Sequence, residues 1–163
     1  MKNIDELVAD KIYSIINYVL AKIIKPDIKI DNVRKLDEEM ISKLKQEYGI
    51  EGIILDVDET LRKNMNNIPQ CNQEWIEKIK GQLKVIIVSN GTDASIKKFL
   101  EEREIDYIDF ACKPLKKNFI KACKKMGLEE EKVMVVGDSL FDDIYGGKRN
   151  KMKTIQVKEV EER

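Results

Sequence analysis

After residue 51 five apolar runs recur along the chain, each of strand length and each separated from the next by a stretch with helical spacing. They are GIILDV at 52–57, LKVIIV at 83–88, IDYIDF at 105–110, KVMVVG at 132–137 and KTIQV at 153–157. Short runs that are apolar without alternation suit strands covered on both faces, the condition of a parallel sheet between helical layers. The intervening stretches near 73–81, 93–102, 115–126 and 139–146 read as helices. In 115–126, Leu115, Phe119, Ile120, Cys123 and Met126 share one face and Gly127 closes the element. This alternation predicts an α/β fold: a Rossmann-like three-layer sandwich on a mostly parallel, five-stranded sheet, spanning residues 51–163.

Residues 1–50 read differently, as an N-terminal helical extension. Ile4, Leu7, Val8, Ile12, Ile15, Ile16, Val19, Leu20 and Ile23 recur at three- and four-residue spacing, which makes 4–24 an amphipathic helix. The apolar stretch is interrupted and falls short of the roughly 20 residues that cross a bilayer. Two placements fit it: packing on its own domain, or lying on a membrane surface. After Pro26 a polar connection leads to a second helix at 37–48, with Met40, Ile41 and Leu44 inward and Gly49 as its stop.

Composition narrows the chemistry. Thirty Lys and Arg balance thirty Asp and Glu, so no overall field draws nucleic acid, and no such partner is expected. The absence of histidine excludes Ser-His and Cys-His nucleophile pairs and His-bearing zinc sites. Cys71, Cys112 and Cys123 are odd in number and form no C-x-x-C, which fits a reducing cytoplasm. Cys112 reads as a small buried packing residue, and Trp75 as the anchor of the helix that follows the first acidic loop. The N-terminal residues MKNIDELVAD carry early acids and lack the pattern of a secretory signal.

In open parallel sheets ligands bind beyond the carboxyl ends of the strands, and the unusual residues fall there. The first run ends in Asp56-x-Asp58-x-Thr60, the second in Ser89-Asn90-Gly91, the third is followed by Lys113-Pro114, and the fourth by Gly137-Asp138 with Asp142-Asp143 shortly after. Alternate residues of an extended chain share a face, so Asp56 and Asp58 can address one crevice. Paired carboxylates invite a hard cation, and Mg²⁺ suits oxygen donors shared with phosphate. Lys113 supplies a positive charge, and Ser89, Asn90 and nearby N–H groups can donate to phosphoryl oxygens. These parts describe phosphoryl transfer: attack by Asp56, proton exchange by Asp58, and charge neutralisation by Mg²⁺ and Lys113. A calcium-binding EF-hand is excluded, because Leu61 and Asn67 stand where its Gly and Glu belong.

The order of residues resembles the four motifs of the haloacid dehalogenase superfamily of phosphatases. Motif one is Asp56-Val57-Asp58-Glu59-Thr60, motif two Ser89, motif three Lys113, and motif four Asp138 with either Asp142 or Asp143 as the second acid. The resemblance implies Asp56 as nucleophile, Asp58 as acid and base, and Thr60 as part of the catalytic loop. It also implies Ser89 and Lys113 on the phosphate, Asp56, the Asp58 carbonyl and Asp138 on Mg²⁺, and Asp143 in support. The intervals 58–85 and 91–113 are too short for a cap domain. Lys113-Pro114, the stretch GDSLFDDIYGGKR and the amphipathic lead-in look like the capless subclass IIIA branch that includes phosphatidylglycerophosphatases. That branch often has Asn in place of Glu59 and Thr in place of Asp142. The likeness implies a phosphorylated substrate, a membrane lipid among the candidates, and a cytoplasmic protein touching the inner face of the membrane through residues 4–24. Soluble metabolites, nucleotides or phosphoproteins are the alternative substrates, and a non-catalytic phospho-ligand module is the alternative to an enzyme.

Overall fold

The computed structural model describes residues 4–161. Six parallel strands form one sheet in the order β1-β6-β5-β2-β3-β4: β1 Ile28–Ile30, β2 Gly52–Leu55, β3 Lys84–Val88, β4 Asp106–Ile108, β5 Val133–Gly137 and β6 Lys153–Val157. The longer helices are α1 Ile4–Ile23, α2 Glu38–Tyr48, α3 Gln70–Lys80, α4 Ala94–Glu102 and α5 Lys116–Met126. The chain after β5 forms a π-helical turn, Leu140–Tyr145, that runs into the short α6, Gly146–Arg149.

The predicted α/β sandwich is present, with one correction: the sheet has six strands, not five. Residues expected to be a polar connection after Pro26 supply the sixth, β1, which pairs in parallel with β6 at the sheet edge. A three-residue strand carries no periodicity of its own, and tertiary bonds hold it. Asp27 accepts from Thr154 N and Thr154 Oγ1, both at 2.8 Å, and from Lys148 Nζ at 2.7 Å. Burial opposes the charge on Asp27, but the bonds from Lys148 and Thr154 outweigh it and hold the carboxyl below its ordinary range. A depressed folded-state pKa contributes stability at neutral pH that is lost as pH falls through the folded value. Asp27→Asn is expected to cost about 1 kcal/mol at pH 7, discounted for partial exposure, and to flatten the loss of stability below about pH 4, as urea titrations at stepped pH would read.

The two faces of the sheet carry separate cores. One gathers Ile53, Leu55, Ile87, Met134 and Val136 with α2 and α3, where Trp75 is buried and donates to Leu36 O at 2.9 Å. The other gathers Ile54, Ile86, Val88, Val133 and Val135 with Phe119, Ala122 and Cys123 of α5. Asp37 caps α2 through Met40 N, and Gly49, at φ 66°, stops it in a conformation that favours glycine. Two expectations for the α5 region fail. Leu115 is the extended residue ahead of the helix and is exposed, and Cys112 sits at φ 48° in a turn that sends its side chain to solvent.

Helix α1 has the expected period, but most of its apolar stripe stays exposed. Leu7, Val8, Ile12, Ile15, Val19 and Ile23 are all exposed. It meets the rest of the fold mainly at the π-helical turn, where Tyr13 packs edge-on to Phe141. Among the described residues no helix is long and apolar enough to cross a membrane.

Candidate active site

Strand β2 lies between β5 and β3, the point where the strand order reverses and a crevice opens at the carboxyl ends. Asp56, directly after β2, is tied to that rim by its N–H, which donates to Val136 O at 3.0 Å. Ser89 follows β3 and Asp138 follows β5, while Lys113 arrives on the loop after β4, whose Lys113–Pro114 peptide is cis. Asn90 places that loop: its Oδ1 accepts from Lys113 N at 2.7 Å. A cavity of about 220 Å³ is lined by Asp56, Asp58, Ser89, Lys113, Asp138 and Asp143, with Tyr13 of α1 on its wall. A larger cleft of about 530 Å³ between α2 and α3 holds none of these groups.

Lys113 is the hub. Its buried ammonium donates to Asp56 Oδ1 at 2.7 Å and to Asp143 Oδ1 at 2.6 Å. Burial works against that charge, yet Asp143 and Asp56 overcome it and hold the lysine protonated well above its ordinary range. Burial pushes the Asp143 carboxyl up, Lys113 pulls it down, and the Asp56 charge adds to the rise. The other oxygen of Asp143 accepts from Ser139 N at 3.2 Å. Of the two neighbouring acids, Asp143 is the one that meets Lys113, while Asp142 accepts instead from the Tyr13 hydroxyl at 3.0 Å. Gly137 makes room for this packing: a Cβ there would stand 2.2 Å from the Asp143 carboxyl.

Asp56, Asp138 and Asp143 each bring a carboxylate oxygen to within 4.8 Å of the others. Both oxygens of Asp143 are bonded, to Lys113 and to Ser139 N, whereas Asp56 gives only Oδ1 to Lys113, so its Oδ2 and the Asp138 carboxylate are the oxygens left to share a cation. The Asp138 carboxyl is pushed up to about 6, first by burial and then by the Asp56 charge. Beneath them Thr60, fully buried, places its hydroxyl 3.4 Å from both Asp56 Oδ2 and Asp138 Oδ1 and accepts from Asp138 N at 3.1 Å. Its place is under the acids rather than against a substrate. Ser89 Oγ, also buried, exchanges hydrogen bonds with the Gly91 carbonyl and N–H at 2.9 and 3.2 Å.

The sequence-derived residues thus come together at one end of the sheet. Two residues with no signal in the sequence join them, Tyr13 and Arg62. Arg62 binds Asp58 at 2.7 Å, although nothing in a charged residue within a polar loop signals burial.

Residues 68–150 match the haloacid dehalogenase-like hydrolase family. Over 142 residues the chain is 39% identical to the probable phosphatase YqeG of Bacillus subtilis, covering 85% of this chain and 80% of that protein. The chain is a haloacid dehalogenase-like hydrolase. Its relative makes it a phosphatase of that family, and the match to YqeG is long enough to include part of the chain ahead of residue 68. A shorter stretch of 60 residues is 40% identical to glyceraldehyde 3-phosphate phosphatase of Pyrococcus furiosus, spanning 37% of this hydrolase and 25% of that enzyme. Among solved structures, a Bacteroides thetaiotaomicron enzyme of the same family, crystallised as a mutant with magnesium and inorganic phosphate, superposes with a TM-score of 0.57 at 11% identity. The superposition covers 66% of this chain and 94% of that one, a likeness of fold.

Proposed function

We propose that this phosphatase hydrolyses phosphomonoesters through an aspartyl-phosphate on Asp56, with Mg²⁺ as cofactor, and that its substrates are amphiphiles carrying the phosphate on a head group of the phosphatidylglycerophosphate kind. The observation that carries the reaction is the Lys113 ammonium, bonded at once to Asp56 and Asp143 beside Asp138. A lysine so placed holds Asp56 ionised and in fixed orientation while presenting positive charge to a phosphoryl group.

The donor set fits the metal. Asp56 and Asp138 offer hard oxygens in a crowded, half-neutralised cluster, and the magnesium-bearing Bacteroides enzyme shares the fold. Bound by Asp56, Asp138 and the Asp58 carbonyl, Mg²⁺ would neutralise charge on the phosphoryl oxygens. The rest belongs to the chain. An Asp56 oxygen attacks phosphorus as the bond to the leaving oxygen breaks, and Asp58 delivers its proton to that oxygen. Asp58 then takes a proton from water, the water oxygen bonds to phosphorus, and the bond to Asp56 breaks, releasing inorganic phosphate. Ser89 and Gly91 line the cavity, and the Ser89 hydroxyl would turn from the Gly91 carbonyl to donate to a non-bridging oxygen.

Two features favour an amphiphilic substrate. The cavity holds only about 220 Å³ with no cap domain over it among the described residues, and its wall includes Tyr13 from a helix whose exposed side is apolar. Contact of α1 with a membrane surface would present lipid head groups to the rim. The test is a substrate panel with and without EDTA. An aryl phosphate should be hydrolysed only with Mg²⁺, and a phosphomonoester lipid in vesicles should be preferred over soluble phosphates. Replacing exposed Leu7, Ile15 and Val19 together by Glu should lower lipid turnover at least tenfold and leave the aryl phosphate unchanged, since surface charge removes interfacial burial without touching the site. Equal lipid turnover by that variant would return the substrate to the soluble class.

A further inference from the structure

We propose that Arg62 is a positioning residue of the reaction: it fixes the Asp58 carboxylate in the direction from which it gives a proton to the leaving oxygen. The inference rests on the reading of Asp58 as acid and base given above. Arg62 is the largest side chain among those the fold removes from solvent altogether.

Local backbone structure places it. After β2 the chain winds around the Val57 carbonyl, which accepts from Thr60, Leu61 and Arg62 N–H at 3.3, 2.8 and 3.1 Å, and Glu59 N donates to Arg62 O at 2.8 Å. The tight turn sets Asp58 and Arg62 side by side as an isolated bridge. From there Arg62 Nε donates to Asp58 Oδ1 at 2.7 Å, and Nη1 donates to Asp93 Oδ2 at 2.6 Å. Asp93 is itself fixed, because its Oδ1 caps α4 through Ser95 N at 2.9 Å and Ile96 N at 3.0 Å. The guanidinium is therefore a crosspiece between the helix α4 N-terminus and the acid on the cavity wall.

Three facts separate this role from plain structural pairing. Asp58 remains 42% exposed and lines the cavity while Arg62 is 0% exposed, so the arginine reaches substrate only through Asp58. A planar fork bonding two acids sets the direction of each, which a lysine point charge does not. Arg62 Nη2 is buried without a partner, a cost that an apolar residue of similar volume would avoid.

The test compares kcat/KM, which reports the phosphorylation of Asp56, for two substrates of the full-length Mg²⁺-loaded enzyme. An alkyl phosphate needs its leaving oxygen protonated, whereas a nitrophenyl phosphate does not. Arg62→Gln should lower the alkyl value roughly 10- to 100-fold and the nitrophenyl value less than about threefold, within the span that acid–base catalysis supplies. Arg62→Lys should fall between, and Asp58→Asn should show the same pattern more strongly. Should Arg62→Gln not fold, Arg62→Lys carries the comparison. If neither folds, Asp93→Asn carries it, because it keeps a capping side chain and loosens the crosspiece from its far end with a smaller loss of the same selectivity. Equal losses on both substrates, or none, in folded variants overturn the proposal. If Asp58→Asn discriminates between substrates and the variants at 62 and 93 do not, this inference alone fails. If Asp58→Asn shows no discrimination, the acid role of Asp58 fails and takes this inference with it.

Discussion

Asp56→Asn is expected to lower turnover at least roughly a thousandfold and to leave the protein folded. Losing the nucleophile removes the covalent route outright, and residues that act as one unit do not compensate for one another. The amide still reaches Lys113, and Lys113 keeps Asp143 at 2.6 Å as its counter-ion. Removing one of three crowded carboxylates also relieves repulsion on Asp138, whose carboxyl is pushed up partly by the Asp56 charge. Melting temperature should therefore hold or rise while activity disappears. A parallel fall in both would mean that Asp56 is a structural counter-ion and the nucleophile lies elsewhere. Steady-state kinetics beside a thermal melt of the same sample separates the two.

Lys113→Met should fail in both respects. It leaves Asp56 and Asp143 facing each other, the latter fully buried, with no cation between them. Removing one partner of a buried ion pair costs about 3–5 kcal/mol, and losing one preorganised charge stabiliser costs on the order of 10²–10³ in rate. The pH dependence has a definite sign. In the native protein Lys113 is raised above its unfolded value, so its contribution is full throughout the neutral range and fades only as pH climbs through the folded pKa. In the variant the burden shifts to Asp143, whose carboxyl burial already pushes upward. Without Lys113 it folds best protonated, so the variant should recover stability as pH falls from about 8 to 5. Urea titrations at the two ends of that range would show it. A variant equally stable at both would mean that the acids are solvated and the hub is not as buried as described.

Much of this site is legible because topology fixes where strand ends go. Once Gly52–Leu55, Lys84–Val88 and Val133–Gly137 are read as parallel strands, Asp56, Ser89 and Asp138 must emerge at one edge of the sheet. Lys113 is legible by its place before Pro114, outside the helical period. The choice between Asp142 and Asp143 is not, because the chain there is a π-helical turn whose pitch departs from the ordinary helix and sends Asp143 inward.

Other features depend on partners distant in the chain. Strand β1 rests on Asp27 meeting Thr154 and Lys148, more than a hundred residues away. Arg62 sits in a polar loop where nothing local marks it for burial; its partner Asp93 is one that only the fold brings near. Leu115 extends the apolar face of α5 by counting alone, yet the helix starts one residue later. The period of α1 is plain in the sequence, but a period fixes only which residues share a face, and most of that face stays exposed.

The claim at the centre of this account is that Asp56 takes the phosphoryl group. Rapid acid quenching of a reaction with an aryl phosphate, followed by peptide mass spectrometry, tests it most directly. One phosphoryl group on the peptide containing Asp56, released by hydroxylamine as an acyl phosphate is, is the predicted result. Product formed in a burst with that peptide unmodified, or with the group on another side chain, would contradict it.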